Sequence, residues 1–269
     1  MLGIEVNESQ VYRTCQNVAD HLSEDDLSTP SKDLQVMECD KNQEIYGMVD
    51  GSMLFTDDGW QETKVGRVFR AQLVDNEPFK WKLGQSQYVA KRGHYLQFTT
   101  RFEQLLPPNS LCKKIFVTDG AVWIGQWIRD RYPDAVHILD FFHVCEKLAE
   151  VTPKNDVGWL DQQKASLLES KIEVVINRVK QLPDNTMVDK LITYLENHKS
   201  NMNYKYYREQ GWMIGSGPIE SAHRTVLQVR MKRSGIRWAN RGCDNMIKLR
   251  IAYKNNQRDI IRRLFKQTA

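Results

Sequence analysis

The chain has 269 residues, of which 41% are hydrophobic and 27% charged, so it can bury a core as one large domain or two small ones. No apolar run approaches the roughly 20 residues that cross a bilayer, and the start "MLGIEVNESQ" lacks the basic-then-apolar pattern of a secretory signal. No membrane partner is expected, and the cytosol is the expected compartment.

The five cysteines, Cys15, Cys39, Cys112, Cys145 and Cys243, are scattered without a CxxC pair. This argues against a disulfide framework and a cysteine zinc site, and for reduced, buried thiols. Charge is uneven along the chain. From Gly211 to Ala269 there are thirteen Lys/Arg against three Asp/Glu, a local net of +10, whereas the preceding residues carry 25 against 31, a net of −6. Such polarity suits a polyanion at the C-terminal end, nucleic acid being the commonest, or else a solvated helix face.

In chain order, "SQVYRTCQNVADHL" (9–22) reads as a short helix with Val11, Cys15, Val18 and Leu22 along one side. The acidic "SEDDLSTPSKD" after it reads as a linker. Three β-like segments follow, "IYGMVDGSMLF", "ETKVGRVFRAQLV" and "SQYVAKR", separated by the turn signals "TDDGW" and "DNEP". Consecutive antiparallel strands are expected. "HYLQFTTRFEQLL" then looks helical and ends at Pro107-Pro108.

"KKIFVTDG", "AVWIGQWIRDRY", "AVHILD" and "FFHVCEKLAEV" alternate strand, helix, strand, helix, the pattern of parallel strands joined by crossovers. The core therefore reads β-β-β-α-β-α-β-α. From Trp159 to Ser200 the chain looks helical throughout, an insertion before the last section. That section opens on the glycine-rich "GWMIGSGPIE" and continues as a basic helical stretch interrupted at Ser234-Gly235.

Three acids stand at positions where carboxylates do chemistry. Asp119 closes the apolar run "IFV", and ligands of α/β sheets collect beyond the carboxyl ends of parallel strands. Asp50 lies within or at the end of the first β-segment, with Gly51 behind it as a sign that a backbone or ligand comes close. If the two strands are neighbours, both acids enter one crevice. Glu220 follows "GSGP"; with Gly217 as N-cap it falls at N3, in the first helical turn. Singly, each acid has a plainer reading as a turn, cap or helix-dipole carboxylate.

An Asp on the first strand, an Asp after the fourth and a Glu on a late helix is the order of the RNase H-like nucleotidyltransferase fold. The stretches "YGMVDGSM", "GWQETKVGRVF", "VTDGAVWIGQWIRDRYPDAVHILDFFHVCEKL" and "IGSGPIESAHRTVLQVRMKRSGIRWANRGCDNMIKLR" extend from Ile45 to Arg250. In these the chain resembles the DDE transposases of bacterial insertion sequences, closest to the ISKra-type group and related to Mutator-like enzymes.

The resemblance implies an α/β fold with an RNase H-like mixed sheet and an α-helical insertion before the third acid. It implies four sections: a short helical N-terminal remnant and linker (1–44), a first core part (45–151), the insertion (152–210), and the last core helix with basic C-terminal helices (211–269). Asp50, Asp119 and Glu220 are then the catalytic triad, binding two Mg²⁺ or Mn²⁺ ions through hard oxygen ligands. Asp140 and His143 form a D-x-x-H element with an auxiliary role. Arg224, Arg230, Lys232, Arg233 and Arg237 would grip the DNA backbone, with Trp238 as a base-stacking or packing residue.

The partners implied are double-stranded DNA, as transposon ends and target, and a second copy of the chain in a dimer or higher assembly. The location implied is cytoplasmic and nucleoid-associated. Family members carry a longer region before the first core strand that recognises the transposon ends, and here about 44 residues precede it. Two alternatives stay open: an RNase H-like nuclease without strand transfer, and a catalytically silent or truncated transposase-derived DNA-binding protein. A nucleotide-binding P-loop is unsupported, because no GxxxxGK[ST] is present.

Overall fold

The computed structural model describes residues 7–28, 44–74, 80–108, 112–154, 156–183 and 185–268. Helix α1 (Glu8–His21) begins at a capping box in which Asn7 and Gln10 satisfy each other's backbone amides. The acidic stretch expected as a linker starts instead with a short helix, α2 (Glu24–Ser28), at whose entry Ser23 and Asp26 bond each other's amides. The rest of that linker and the "DNEP" turn lie outside the described residues.

Strands β1 (Glu44–Thr56), β2 (Gly59–Leu73) and β3 (Trp81–Arg92) form the expected antiparallel meander. Helix α3 (Tyr95–Leu105) leads to β4 (Lys113–Thr118), α4 (Val122–Arg131), β5 (Val136–Leu139) and α5 (Phe141–Glu150). β4 pairs parallel with β1, and β5 parallel with β4, giving a mixed five-stranded sheet of order β3-β2-β1-β4-β5. The first and fourth strands are therefore neighbours, the condition on which the crevice for Asp50 and Asp119 depended.

Alternation along the strands divides the core in two. Ile45, Val49, Val68 and Phe116 face α3 and α4, where Phe102 and Trp127 close the layer. This layer fits tightly. A Cβ at Gly47 would stand 2.6 Å from the Phe116 ring, and one at Gly66 would run into Phe102. Tyr46, Met48, Ile115, Val117 and Ile138 face the other way, into the larger core with the remaining helices. Asp50 and Asp119 continue the Met48 and Val117 positions, so both belong to this second face.

The insertion comprises α6 (Trp159–Leu168), α7 (Ile172–Val179), α8 (Thr186–His198) and α9 (Tyr204–Glu209). It grips the sheet at its strand ends: Tyr194 Oη donates to the Asp119 carbonyl at 2.8 Å, and Tyr204 Oη to the Leu139 carbonyl at 3.0 Å.

Helix α10 (Gly217–His223) runs through a π turn (Arg224–Gln228) into α11 (Val229–Met231). A π turn leaves carbonyls out of the regular ladder. Here Arg250 of α12 (Asn240–Lys254) donates to the carbonyls of Thr225 and Val226. The break near Ser234-Gly235 is present, with Gly235 at φ +75°, and α13 (Arg258–Thr268) closes the described chain. α1 docks on α12 and α13, held by Arg241 on Asp20 and by Asn245 Nδ2 on Gln16 Oε1 at 2.7 Å.

Cys39 lies outside the described residues. The other four cysteines are free thiols, three of them buried, and burial pushes Cys145 up to about 12 and Cys243 to about 11, as inert thiols require. No described helix is long and apolar enough to cross a membrane.

Candidate active site

Asp50 sits in the middle of β1, opposite Val65 of β2, with its side chain 37% exposed. Its Oδ1 accepts from the Gly51 amide at 2.7 Å. The close neighbour that Gly51 admits is the carboxylate of Glu62, which a Cβ at that position would strike. Burial raises the Asp50 pKa. The nearby charge of Asp119 raises it further, while His223, the Gly51 amide and His143 act in the opposite direction. The β1–β4 register ends at Met48 opposite Val117, and Asp50 and Asp119 each follow two residues later, near enough for the Asp119 charge to act on Asp50.

Asp119 leaves β4 into Gly120, whose φ of +86° suits only a residue without a side chain. The Asp119 carboxylate accepts from the Ala121 amide at 3.0 Å and its carbonyl is held by Tyr194, so this turn is fixed from both sides.

Glu220 is exposed on α10, and the helix start differs by one residue from the sequence expectation. Ser216 occupies the N-cap position, Gly217 is the first helical residue, and Glu220 is the fourth rather than the third. The reason is a tertiary bond that local sequence does not encode. The Ser216 hydroxyl is drawn to the buried Asp140, and it also lies 3.3 Å from Glu220 Oε1. Arg67 of β2 completes the attachment. It is 7% exposed, packs against Phe69 and Tyr88, and donates from Nη1 to the Pro218 carbonyl at 2.9 Å.

Asp140 is 1% exposed, caps α5 by accepting from the Phe142 amide at 2.8 Å, and accepts from Ser216 with its other oxygen. In this position it joins α5 to the start of α10 and does not face an open cavity. His143, one turn along α5, has its side chain 43% exposed and lies 3.7 Å from Glu146.

Asp50 and Glu220 line one cavity of about 570 Å³ with Ser221, His223, Arg224 and Gln228, and Asp119 is not among the residues that line it. Among the described residues no three His, Cys, Asp or Glu side chains converge on one ion position. The donor chemistry nevertheless suits a hard divalent cation. Two carboxylates lie near each other just beyond the paired part of β1 and β4, and a third lines the Asp50 cavity.

His223 is the site residue that reading the sequence missed. Its buried Nε2 lies 3.2 Å from Asp50 Oδ2 without a well-aligned hydrogen bond, and burial lowers its pKa. The available signal was its spacing: His223 follows Glu220 by three residues, on the same face of one helix.

Of the basic residues, Arg224, Arg230, Lys232, Arg233 and Arg237 are all exposed. Arg237 is already engaged, with Nε 3.2 Å from Asp57 Oδ1 and its guanidinium near the Phe55 ring. Trp238 is half-buried: its indole donates to the Met231 carbonyl at 3.1 Å, and its backbone amide donates to Phe55 of β1 at 3.0 Å. It fastens the segment before α12 to the β1–β2 hairpin.

The molecule is thus a mixed α/β protein with acids on adjoining strands of its sheet and a basic helical section after them. Residues 97–266, from α3 to α13, match the Uncharacterised protein family (UPF0236), and the chain belongs to that family. The matched span contains Asp119, Asp140, His143 and Glu220, and Asp50 precedes it. No curated protein matches the chain.

Proposed function

We propose that the chain is the catalytic core of a DDE-type DNA transposase, built on an RNase H-like sheet and cutting and joining transposon ends through phosphodiester chemistry. The observation that carries this reading is that Asp50 and Asp119 lie on one face just beyond the parallel pairing of β1 with β4, near enough for their charges to interact, with Glu220 lining the same cavity as Asp50. Asp50, Asp119 and Glu220 would hold two Mg²⁺ or Mn²⁺ ions. When bound, such ions supply Lewis-acid activation of the nucleophile and charge neutralisation at the leaving oxygen.

The nucleophile is water for strand cleavage and the freed 3′-hydroxyl for transfer. The protein's own part is to hold the acids and the substrate. Tyr194 fixes the Asp119 turn, while Arg67 and the Asp140–Ser216 pair fix the helix that carries Glu220. Arg224, Arg230, Lys232 and Arg233, exposed beside this helix, offer positive charge to double-stranded DNA, a contact that positions without reading sequence. A second copy of the chain would serve the paired end. The compartment in this reading is the cytoplasm, at the nucleoid.

A catalytically silent DNA-binding relative is the second reading, favoured by the absence of a closed three-residue ligand set among the described residues. A nuclease without strand transfer shares the first reading's chemistry and differs only in its products. Labelled duplex and branched DNA incubated with the purified chain in Mg²⁺, Mn²⁺ or EDTA separates them. Metal-dependent nicking that Asp119→Ala lacks supports the enzyme, joined products identify transfer, and binding without cutting under every metal supports the silent form.

A further inference from the structure

A second cavity, of about 710 Å³, lies between α4, the edge strand β5 and the α8–α9 segment, and shares no residue with the Asp50 cavity. Its size is that of a small-ligand site. Its lining includes two cations, Lys113 and Arg129, and no carboxylate; the neighbouring Asp134 is exposed and does not line it. The remaining wall is aromatic and amide-rich. Tyr206 is 42% exposed, its ring meeting Trp212 edge-on at 5.7 Å, and the Lys113 ammonium stands 4.2 Å from the Trp212 ring centre.

The back wall is rigid and neutral. His137 Nδ1 accepts from Asn201 Nδ2 at 3.2 Å, which leaves Nε2 to donate to Thr118 Oγ1 at 2.8 Å. Both ring nitrogens of His137 are used, and burial lowers the pKa of the second lining histidine, His198, so the histidines shape the cavity and add no third charge. Asn197, also on the wall, offers an amide with both a donor and an acceptor.

Two cations on one cavity suit a phosphate, the nearby Glu44 carboxylate being taken by the Trp212 indole at 3.0 Å; an open tyrosine ring suits a base, and an amide suits a base or sugar edge. We infer that this cavity binds a nucleoside phosphate, with Arg129 and Lys113 on the phosphate and Tyr206 and Asn197 on the nucleoside. The same chemistry comes from a free nucleotide or from an unpaired nucleotide of a nucleic-acid strand.

Fluorescently labelled deoxyadenosine monophosphate and a short single-stranded oligodeoxynucleotide are titrated into the full chain, with inorganic phosphate and heparin as charge-only competitors. Arg129→Glu and Tyr206→Ala, both at exposed positions, are compared with the parent after circular dichroism and melting show them folded. The expected result is saturable binding that each substitution weakens at least tenfold. Binding of the mononucleotide identifies the free nucleotide as ligand, and binding of the oligonucleotide alone identifies the strand. An Asp50→Asn chain should bind equally well, which separates this site from the catalytic reading. No binding of either probe at millimolar concentration, binding that both variants retain, or competition by heparin that ignores Tyr206 would each overturn the assignment.

Discussion

Asp50 interrupts an apolar strand at the point where β1 runs past its pairing with β4, and Leu54 resumes the core further along the same face. A residue of alternating pattern is expected to be apolar there, and the acid is tolerated because its side chain is 37% exposed and next to His223. Asp50→Asn preserves shape and the acceptor for the Gly51 amide but removes the charge. Metal-dependent cleavage should fall by at least a hundredfold, with the melting temperature held or slightly raised because the like charge facing Asp119 is gone. A cleavage assay beside a thermal melt checks both. His137 gives a second residue-scale prediction. Burial, then the charges of His198 and Arg129, lower its pKa from 6.5 to about 4. The unfolded chain therefore binds the proton first. The stability is full above about pH 6.5 and is lost as pH falls toward 4, by on the order of 3 kcal/mol. Urea melts at pH 7 and pH 4.5 should show this loss in the parent and a smaller one in His137→Gln; equal losses would mean that another group carries the acid sensitivity. Asp50, Asp119 and Glu220 could be named as candidates from the sequence because acids within or after apolar strands and at helix starts have local signatures. Arg67, Ser216 and His223 were not, since each takes its role from a partner distant in sequence.

At the scale of elements, strands and helices with a clear period were readable from their own residues. β1 to β5 and α1 and α3 to α8 are all present where alternation or helical spacing points to them, although β3 begins at Trp81, five residues before the segment read as a strand. The differences fall where tertiary bonds decide. α2 forms in an acidic stretch without periodicity, and the start of α10 is set by the bond from Ser216 to Asp140. The insertion also acquires a role that its amphipathic helices did not announce, since Tyr194 and Tyr204 each hold the last carbonyls of a parallel strand. Tyr194→Phe removes one neutral hydrogen bond, a cost of about 1 kcal/mol. Cleavage should slow several-fold with DNA affinity unchanged, and a loss of DNA affinity alone would contradict the positioning role. Arg67→Met removes the cation that pins Pro218 and leaves that carbonyl and Ser86 with unmet bonds. A destabilisation of about 2 kcal/mol is expected from denaturant unfolding.

For the whole molecule, charge separates along the chain and gathers around the last helices, where Arg224, Arg230, Lys232 and Arg233 are exposed beside the acidic cavity. Anionic DNA drawn to this surface would be brought next to Asp50 and Glu220. Each lost phosphate contact should reduce the slope of log affinity against log salt by about 1. Arg230→Gln combined with Lys232→Gln should therefore lower the slope by about 2, whereas Arg237→Gln, whose side chain is committed to Asp57, should change it little. Filter binding between low and moderate salt measures this, and an equal drop for Arg237→Gln would place the DNA elsewhere. α1 is part of the same body, held to α12 through Arg241 and Asn245, so the short N-terminal helix supports the basic section. The proposed function requires the carboxylates of Asp50, Asp119 and Glu220 to act together on a phosphodiester. Its most direct measurement is nicking of labelled branched DNA by the parent chain in Mn²⁺ against EDTA, beside Asp119→Ala. Metal-dependent nicking that Asp119→Ala abolishes while still binding DNA is expected; nicking that persists in Asp119→Ala, or no cutting by the parent in any metal, would contradict the proposed function.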